Sequence, residues 1–306
     1  VRVKTEAVFF WSCLGAAVAV LLTLAGLLVV IAKAGSPALA HFGLRFFVTS
    51  GWNPVREIFG AAAPLQGTLL TSLLALAFAV PVAFGVAFAL TELTPAWLER
   101  PLGLAIELLA GIPSIIYGMW GLFIVAPLFQ TTVEPWLIRV FEPYPSLAPF
   151  FSGPPYGIGI LTASCLLALM ILPYIAASLR EVFRTVSPMV KESAYAMGAT
   201  TWEVMRDVVL PSTRVGAMGG IVLGLGRALG ETMAVTFVIG NAHRLSTSIL
   251  APGTTISATI ANEFNEATGD LYVASLMALG LLLFGITFIV LLLGRFLLRL
   301  MREAPV

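Results

Sequence analysis

Ser187-Pro188-Met189-Val190-Lys191-Glu192-Ser193-Ala194-Tyr195-Ala196-Met197-Gly198-Ala199-Thr200-Thr201-Trp202-Glu203, continued to Val208-Val209-Leu210-Pro211, is the least apolar internal stretch of the chain. Its punctuation is that of two short helices. Ser187 and Pro188 read as an N-cap and a first helical residue, and Gly198 as the left-handed residue just past a C-terminus, which predicts a helix of about ten residues. Thr200 and Glu203 then form a capping box that opens a second helix, predicted to run to about Leu210-Pro211. A polar helical pair of this kind is either an amphipathic loop lying on lipid headgroups or a lever that docks into a soluble partner.

The sequence around this pair decides its setting. Of 306 residues, 59% are hydrophobic and 11% charged, against roughly a quarter charged in an ordinary soluble domain. The apolar residues gather in six runs, at 9–31, 67–90, 103–129, 157–179, 213–240 and 271–294. Each is long enough to cross a hydrocarbon layer of about 30 Å. Pro81, Pro113 and Pro173 fall inside three of them and predict kinked, packed helices. Arg2 and Lys4 precede the first run, which is too long for the apolar core of a signal peptide, so it reads as a retained helix ending at a Gly35-Ser36-Pro37 turn. The architecture expected is all-α and polytopic, with six membrane crossings.

Lys and Arg counted on alternate sides of the crossings give an orientation. Arg2, Lys4, Arg100, Arg180, Arg184, Lys191, Arg206, Arg214, Arg295, Arg299 and Arg302 lie on one side, and Lys33, Arg45, Arg56, Arg139 and Arg244 on the other. Eleven against five places both termini and the 187–211 loop in the cytoplasm. Three outward segments follow, at 32–66, 130–156 and 241–270. The proline-rich middle one is expected to be ordered, with an amphipathic piece near Trp136–Phe141 that is either an interfacial anchor or a docking surface for an extracytoplasmic protein.

Several chemistries are excluded or unsupported. A net charge of +1 with no basic stripe argues against a nucleic-acid partner. His41 and His243 are far apart in sequence, and Cys13 and Cys165 sit in apolar runs as packing residues, so no metal site is expected. No G-x-x-x-x-G-K-[ST] loop is present to cradle a nucleotide.

The fifth run carries the charges that composition disfavours. Gly216, Gly220 and Gly224 recur one turn apart and predict a close helix approach. Arg227 and Glu231, four residues apart, are predicted to share one helix face near mid-span. Burying an arginine there costs about 2.5–3.5 kcal/mol on insertion scales, and an exposed i,i+4 pair returns only about 0.2–0.5 kcal/mol. Either the pair pins two helices as a salt bridge, or it lines a transport pathway in which an arginine fork handles an oxyanion. Glu107, the other acid inside a run, is either a solvated residue at a helix end or a gate partner for Arg227.

Three motifs carry a family resemblance. Glu192-Ser193-Ala194, three residues, Gly198, nine residues and Val208-Val209-Leu210-Pro211 resemble the EAA loop of ABC importer permeases, departing mildly at Ser193 and Val208. Gly226-Arg227-Ala228-Leu229-Gly230-Glu231-Thr232-Met233-Ala234-Val235 resembles a helix of the phosphate-specific permeases. Leu109-Ala110-Gly111-Ile112-Pro113-Ser114-Ile115-Ile116-Tyr117-Gly118-Met119-Trp120-Gly121-Leu122-Phe123 is similar to their third-helix signature, in a form closer to the PstC kind than to its PstA sister. Gly67-Thr68-Leu69-Leu70-Thr71-Ser72 agrees.

The resemblance implies a type I ABC importer permease with the MetI-like fold. Its expected parts are an N-terminal helix and outward segment over 1–66, a permease core over 67–298 containing the 187–211 coupling loop, and a cytoplasmic tail over 299–306. It further implies that Glu192, Ala194 and Gly198 engage a PstB-type ATPase dimer, which carries the ATP and Mg, so that this chain binds no cofactor and is no enzyme. Arg227 and Glu231 become the transport-critical charges for inorganic phosphate. The implied partners are a homologous PstA-type permease and a PstS-type phosphate-binding protein, in a bacterial inner membrane. A permease for molybdate, sulfate or phosphonate, or an ion-coupled secondary transporter using Arg227, Glu231 and Glu107 as a proton relay, are the alternatives.

Overall fold

The computed structural model describes residues 2–303, with side chains over 8–301 except position 96. The side chains of Arg2, Lys4 and Arg302 and the whole of 304–306 lie outside the described residues. Six crossings are present: α1 (Arg2–Phe42), α2 (Ala62–Leu93), α4 (Ser114–Phe141), α5 (Ile160–Arg184), α7 (Thr201–Leu229) and α10 (Asp270–Glu303). Shorter helices join them: α3 (Ala96–Ala110), α6 (Pro188–Ala196), α8 (Met233–Val238) and α9 (Ile256–Glu263). The only strands among the described residues are Trp52–Asn53 and Ile58–Phe59, a two-residue antiparallel hairpin in the first outward segment.

α5 is the axis of the bundle. Leu166, Leu167, Ile171, Ile175, Leu179 and Phe183 are all fully or almost fully buried. Against them α2 presents Ala75, Ala79, Ala83 and Ala87, one per turn and each 0% exposed. Lipid tails are as apolar as leucine, so this contact is favoured by close van der Waals packing rather than by escape from water. Small residues permit it. The glycine stripe works in the same way: a Cβ at Gly216 would come within 2.8 Å of Val182, and one at Gly224 within 2.7 Å of Ile175, with Ser178 meeting position 220 between them. α7 therefore lies antiparallel on α5.

Several predicted boundaries move. The expected turn at Gly35-Ser36-Pro37 is helical, because α1 continues to Phe42 with Pro37 inside it. There Gly35 lies against the α10 backbone at Ala278, and contact with a neighbour lets a membrane helix tolerate the lost hydrogen bond. The third apolar run is two helices, not one: Pro113 cannot donate, Ile112 before it is pushed out of the helical region, and the chain turns at Gly111–Pro113 between α3 and α4. The amphipathic piece at Trp136–Phe141 is the end of α4, reached through π turns at Gly121–Val125 and Phe129–Val133. α2 starts at Ala62, so the boundary expected at 66/67 falls inside a helix.

α1 and α10 form a second layer around Ala38, Phe46, Phe59, Ile256, Tyr272 and Leu279. Along 8–26 every residue of α1 is exposed, which suits a helix facing lipid.

Candidate functional site

The fifth crossing is interrupted where its charges lie. α7 ends at Leu229, Gly230 caps it, Glu231 and Thr232 are non-helical, and α8 restarts at Met233. Gly230 lowers helix propensity at the break. Across it, the Gly230 and Glu231 N–H groups turn back onto the carbonyls of Arg227 and Ala228. α8 is held away from the axis of α7 by α4, where Gly118 leaves space that a Cβ would contest with Phe237 and Ala234. Gly121, one turn on, admits Leu166 of α5. The Tyr117 hydroxyl donates to the Leu109 carbonyl at 3.0 Å, bridging the proline turn that precedes α4. The Tyr-Gly-Met-Trp-Gly motif is thus the seat of the broken helix.

Arg227 and Glu231 consequently do not share a face of one continuous helix as their spacing predicted. Arg227 is in the last turn of α7 and exposed, and Glu231 is half-buried in the break. Among the described residues neither forms an ion pair or a side-chain hydrogen bond. The expected mid-span depth agrees with the packing: Gly224 lies beside Ile175, and Arg227, one turn further, is level with the middle of α5. An unpaired guanidinium at that depth is open to a ligand or to another chain.

The 187–211 region has the predicted first helix and turn. α6 ends in a paired closure, with the Gly198 N–H on the Tyr195 carbonyl at 2.9 Å and the Ala199 N–H on the Ala194 carbonyl at 3.1 Å, the pattern of a Schellman motif. Gly198 has φ +92° with open space around it, so backbone conformation and not crowding calls for glycine. The capping box between Thr200 and Glu203 has both of its hydrogen bonds. The second helix does not stop at Pro211. It passes through a π turn at Val204–Val209 into the rest of α7, and the wider turn makes room for the proline ring that would otherwise strike the carbonyl of Asp207. The second helix of the loop is therefore continuous with the crossing whose last turn carries Arg227.

Glu192 is exposed on α6, while Ala194 is 6% exposed and packs inward with Phe183, Val204 and Met205 in the core. Ala194 roots the helix in the bundle. The outward surface is Met189, Val190, Tyr195, Met197 and Trp202, each at least 40% exposed. Lys191 reaches Glu92 at the end of α2, an ion pair whose side chains are only 16% and 6% exposed. Glu107 lies on α3 and binds Arg180 of α5 at 2.6 Å, in a space that Gly103 leaves for the guanidinium. One turn away, Arg184 pairs with Glu99. Glu107 is 48% exposed, as the solvated reading expected, and its carboxylate also pairs with Arg180 rather than with Arg227.

Sequence reasoning missed Glu92, Arg180 and the outward cluster of Trp52, His243, Glu263 and Tyr272. Glu263 accepts from the Trp52 indole at 3.1 Å and from the Tyr272 hydroxyl, and the His243 ring stacks on Trp52 with centroids 5.3 Å apart. His243 Nε2 is 3.6 Å from Glu263, while its buried Nδ1 has no partner. Burial pushes the imidazole below its usual range, against the smaller opposing pull of Glu263. No local signal marks such partners: Trp52 and Glu263 are 211 residues apart.

Comparison with known proteins agrees with this geometry. The family described as binding-protein-dependent transport system inner membrane component matches residues 80–303. The phosphate transport system permease protein PstC of Mesorhizobium japonicum is 58% identical over 294 residues, covering 96% of this chain and 90% of that one. Among solved structures, a chain of a bacterial alginate ABC transporter, in complex with an alginate-bound periplasmic protein, aligns over 100% of this chain and 98% of its own, with TM-score 0.62 and 18% identity. A chain of the MetNI methionine ABC transporter in an inward-facing conformation aligns over 78% and 94%, with TM-score 0.58 and 16% identity. These structures share the fold. The chain belongs to the binding-protein-dependent transport system inner membrane components and, within them, to the PstC family of phosphate transport permeases.

Proposed function

We propose that the chain forms half of a translocation pathway for inorganic phosphate, driven by a separate ATP-hydrolysing subunit. The observation that carries this reading is the broken fifth crossing, which ends at mid-depth on an arginine without an intramolecular partner, in a chain 58% identical to a phosphate permease. Discontinuous helices are a recurrent way for transporters to bring polar groups to the membrane midplane. A guanidinium binds phosphate through a planar, permanently charged fork. In this reading Arg227 receives the anion, and Glu231 in the break keeps its affinity low enough for release. Because Arg227 is exposed on the single chain, a homologous PstA-type permease completes the pathway.

The coupling unit is assigned to the other end of α7. A PstB-type ATPase dimer holding ATP and Mg grips the exposed face of α6, with Glu192 offering a carboxylate to its rim. Gly198 sets the angle between α6 and α7, and Ala194 anchors α6 below. Eleven basic residues against five put this unit and both termini in the cytoplasm, with a PstS-type binding protein delivering phosphate at the opposite end. Glu107 is assigned to fastening α3 on α5 through Arg180, not to gating Arg227.

Proteoliposomes holding the complete complex, with ATP inside and loaded binding protein outside, test the reading. Labelled phosphate accumulates, and excess sulfate, molybdate or phosphonate leaves the uptake unchanged. Uptake without ATP, or equal competition by another oxyanion, contradicts it.

A further inference from the structure

At the end of the bundle opposite α6, two loops line an open pocket of about 340 Å³, within the span of roughly 300–1,000 Å³ common for small-ligand sites. One wall is the segment leading into α5, with Ser152 and Tyr156; the other follows α8 and brings Arg244, Ser246, Thr247 and Ser248. The lining holds one cation, several hydroxyls and no acid. Among the described residues the Arg244 guanidinium and the Tyr156 and Thr247 hydroxyls make no ion pair or hydrogen bond within the chain. All three side chains are exposed and accessible to a ligand.

Both walls are held by dedicated side chains. Glu134, 0% exposed, accepts the backbone N–H of Gly157 at 2.9 Å and so fixes the first. Gln66 of α2 grips the second by donating to the Ser246 carbonyl at 2.9 Å and accepting from its N–H at 3.4 Å. Further backbone bonds, Ile249 to Phe150 and Leu161 to Ile249, stitch the walls together. Loops that served only as connections would not call for a buried carboxylate and a two-point amide clamp. The pocket is near the break along the chain: α8 has six residues, about 9 Å of rise, and links the Glu231 segment to the loop that carries Arg244.

We infer that this pocket is a receiving site for a phosphate oxyanion, in which Arg244, Thr247 and Tyr156 hold the ion between its delivery and Arg227. The inference rests on the proposed phosphate pathway. A lipid phosphate has the same headgroup chemistry as the free ion, and an acidic surface of the binding protein would also suit Arg244, so the test separates all three.

The full importer is reconstituted in wild-type form and with Arg244→Gln or, removing one hydroxyl only, Tyr156→Phe. ATP-driven phosphate uptake is measured at saturating binding protein, and docking of the binding protein is measured separately without turnover. Arg244→Gln is expected to lower maximal uptake about tenfold or more and Tyr156→Phe about threefold, as lost charged and neutral hydrogen bonds do, with docking affinity changed less than about twofold. Full uptake in both variants overturns the site. So does weakened docking with maximal uptake retained, which makes Arg244 a contact for the binding protein. Repeating the series in vesicles with and without an anionic phospholipid isolates the third source: a loss confined to anionic vesicles means the pocket holds a headgroup, and overturns it too. If wild type itself carries no phosphate, the pathway reading fails and this inference with it; if wild type carries phosphate and both variants match it, this inference alone fails.

Discussion

Arg180 and Arg227 both sit inside membrane crossings, and their surroundings separate a structural charge from a working one. Arg180 is buried, with Glu107 and Glu181 within 3.3 Å. Arg227 is exposed and unpaired among the described residues. Breaking a buried ion pair costs about 3–5 kcal/mol, but Glu107 is 48% exposed and Glu181 remains in contact, so Glu107→Gln is expected to cost only about 1 kcal/mol. The solubilised complex should melt a few degrees lower, about 2–4 °C, and keep its phosphate uptake. Loss of uptake at unchanged melting temperature would instead make Glu107 a gate. His243 makes a pH prediction. Its folded value lies below the ordinary 6.5, so the unfolded chain takes up the proton first as pH falls. Stability is present above about pH 6.5 and is lost on acidification through the folded value. The melting temperature should fall between about pH 7.5 and about pH 5.5, and more steeply in wild type than in His243→Phe. Equal slopes would show that His243 contributes nothing.

At the scale of elements, local signals located the helices whose ends are marked by a proline, a glycine or a capping box. Pro188, Gly198 and the Thr200–Glu203 box carry their geometry in four or five residues, and the structure has each of them where the spacing put it. Breaks decided by tertiary packing were not legible. Gly230 alone lowers helix propensity in Ala228-Leu229-Gly230-Glu231, which is too weak a signal to mark a break, and the structure adds the close packing of α8 on Gly118 of α4. Pro211 and Pro37 looked like stops and are carried through, one by a π turn and one by contact with α10. The continuity of α7 from Thr201 to Leu229, 29 residues, gives a mechanical path of about 40 Å from the coupling turn to Arg227. That path makes the Gly198 turn testable. A side chain at φ +92° costs about 1–2 kcal/mol, least for Asn. Gly198→Asn should couple ATP hydrolysis to uptake better than Gly198→Leu, and the Leu variant should hydrolyse ATP with little uptake. Equal coupling in both would show that the turn angle is not what transmits the motion.

Over the whole molecule, six crossings were readable because apolar length needs no knowledge of neighbours. Their arrangement was not, since it depends on which small residues meet: the alanine row of α2 on α5, the glycine row of α7 on α5, and Gly35 of α1 on α10. The candidate site was half legible. Arg227 and Glu231 stood out as charges in an apolar run, but the break between them, and the consequent absence of a salt bridge, required the packing of α8. In the proposed mechanism this unpaired arginine, at the end of a broken crossing and completed by a sister subunit, carries phosphate. The most direct measurement is labelled phosphate uptake by proteoliposomes of the assembled importer carrying Arg227→Gln, alongside its subunit stoichiometry. The account predicts an intact complex with uptake reduced by about a hundredfold or more, as for loss of a group that binds the transported charge. An intact complex that transports phosphate at the wild-type rate would contradict it.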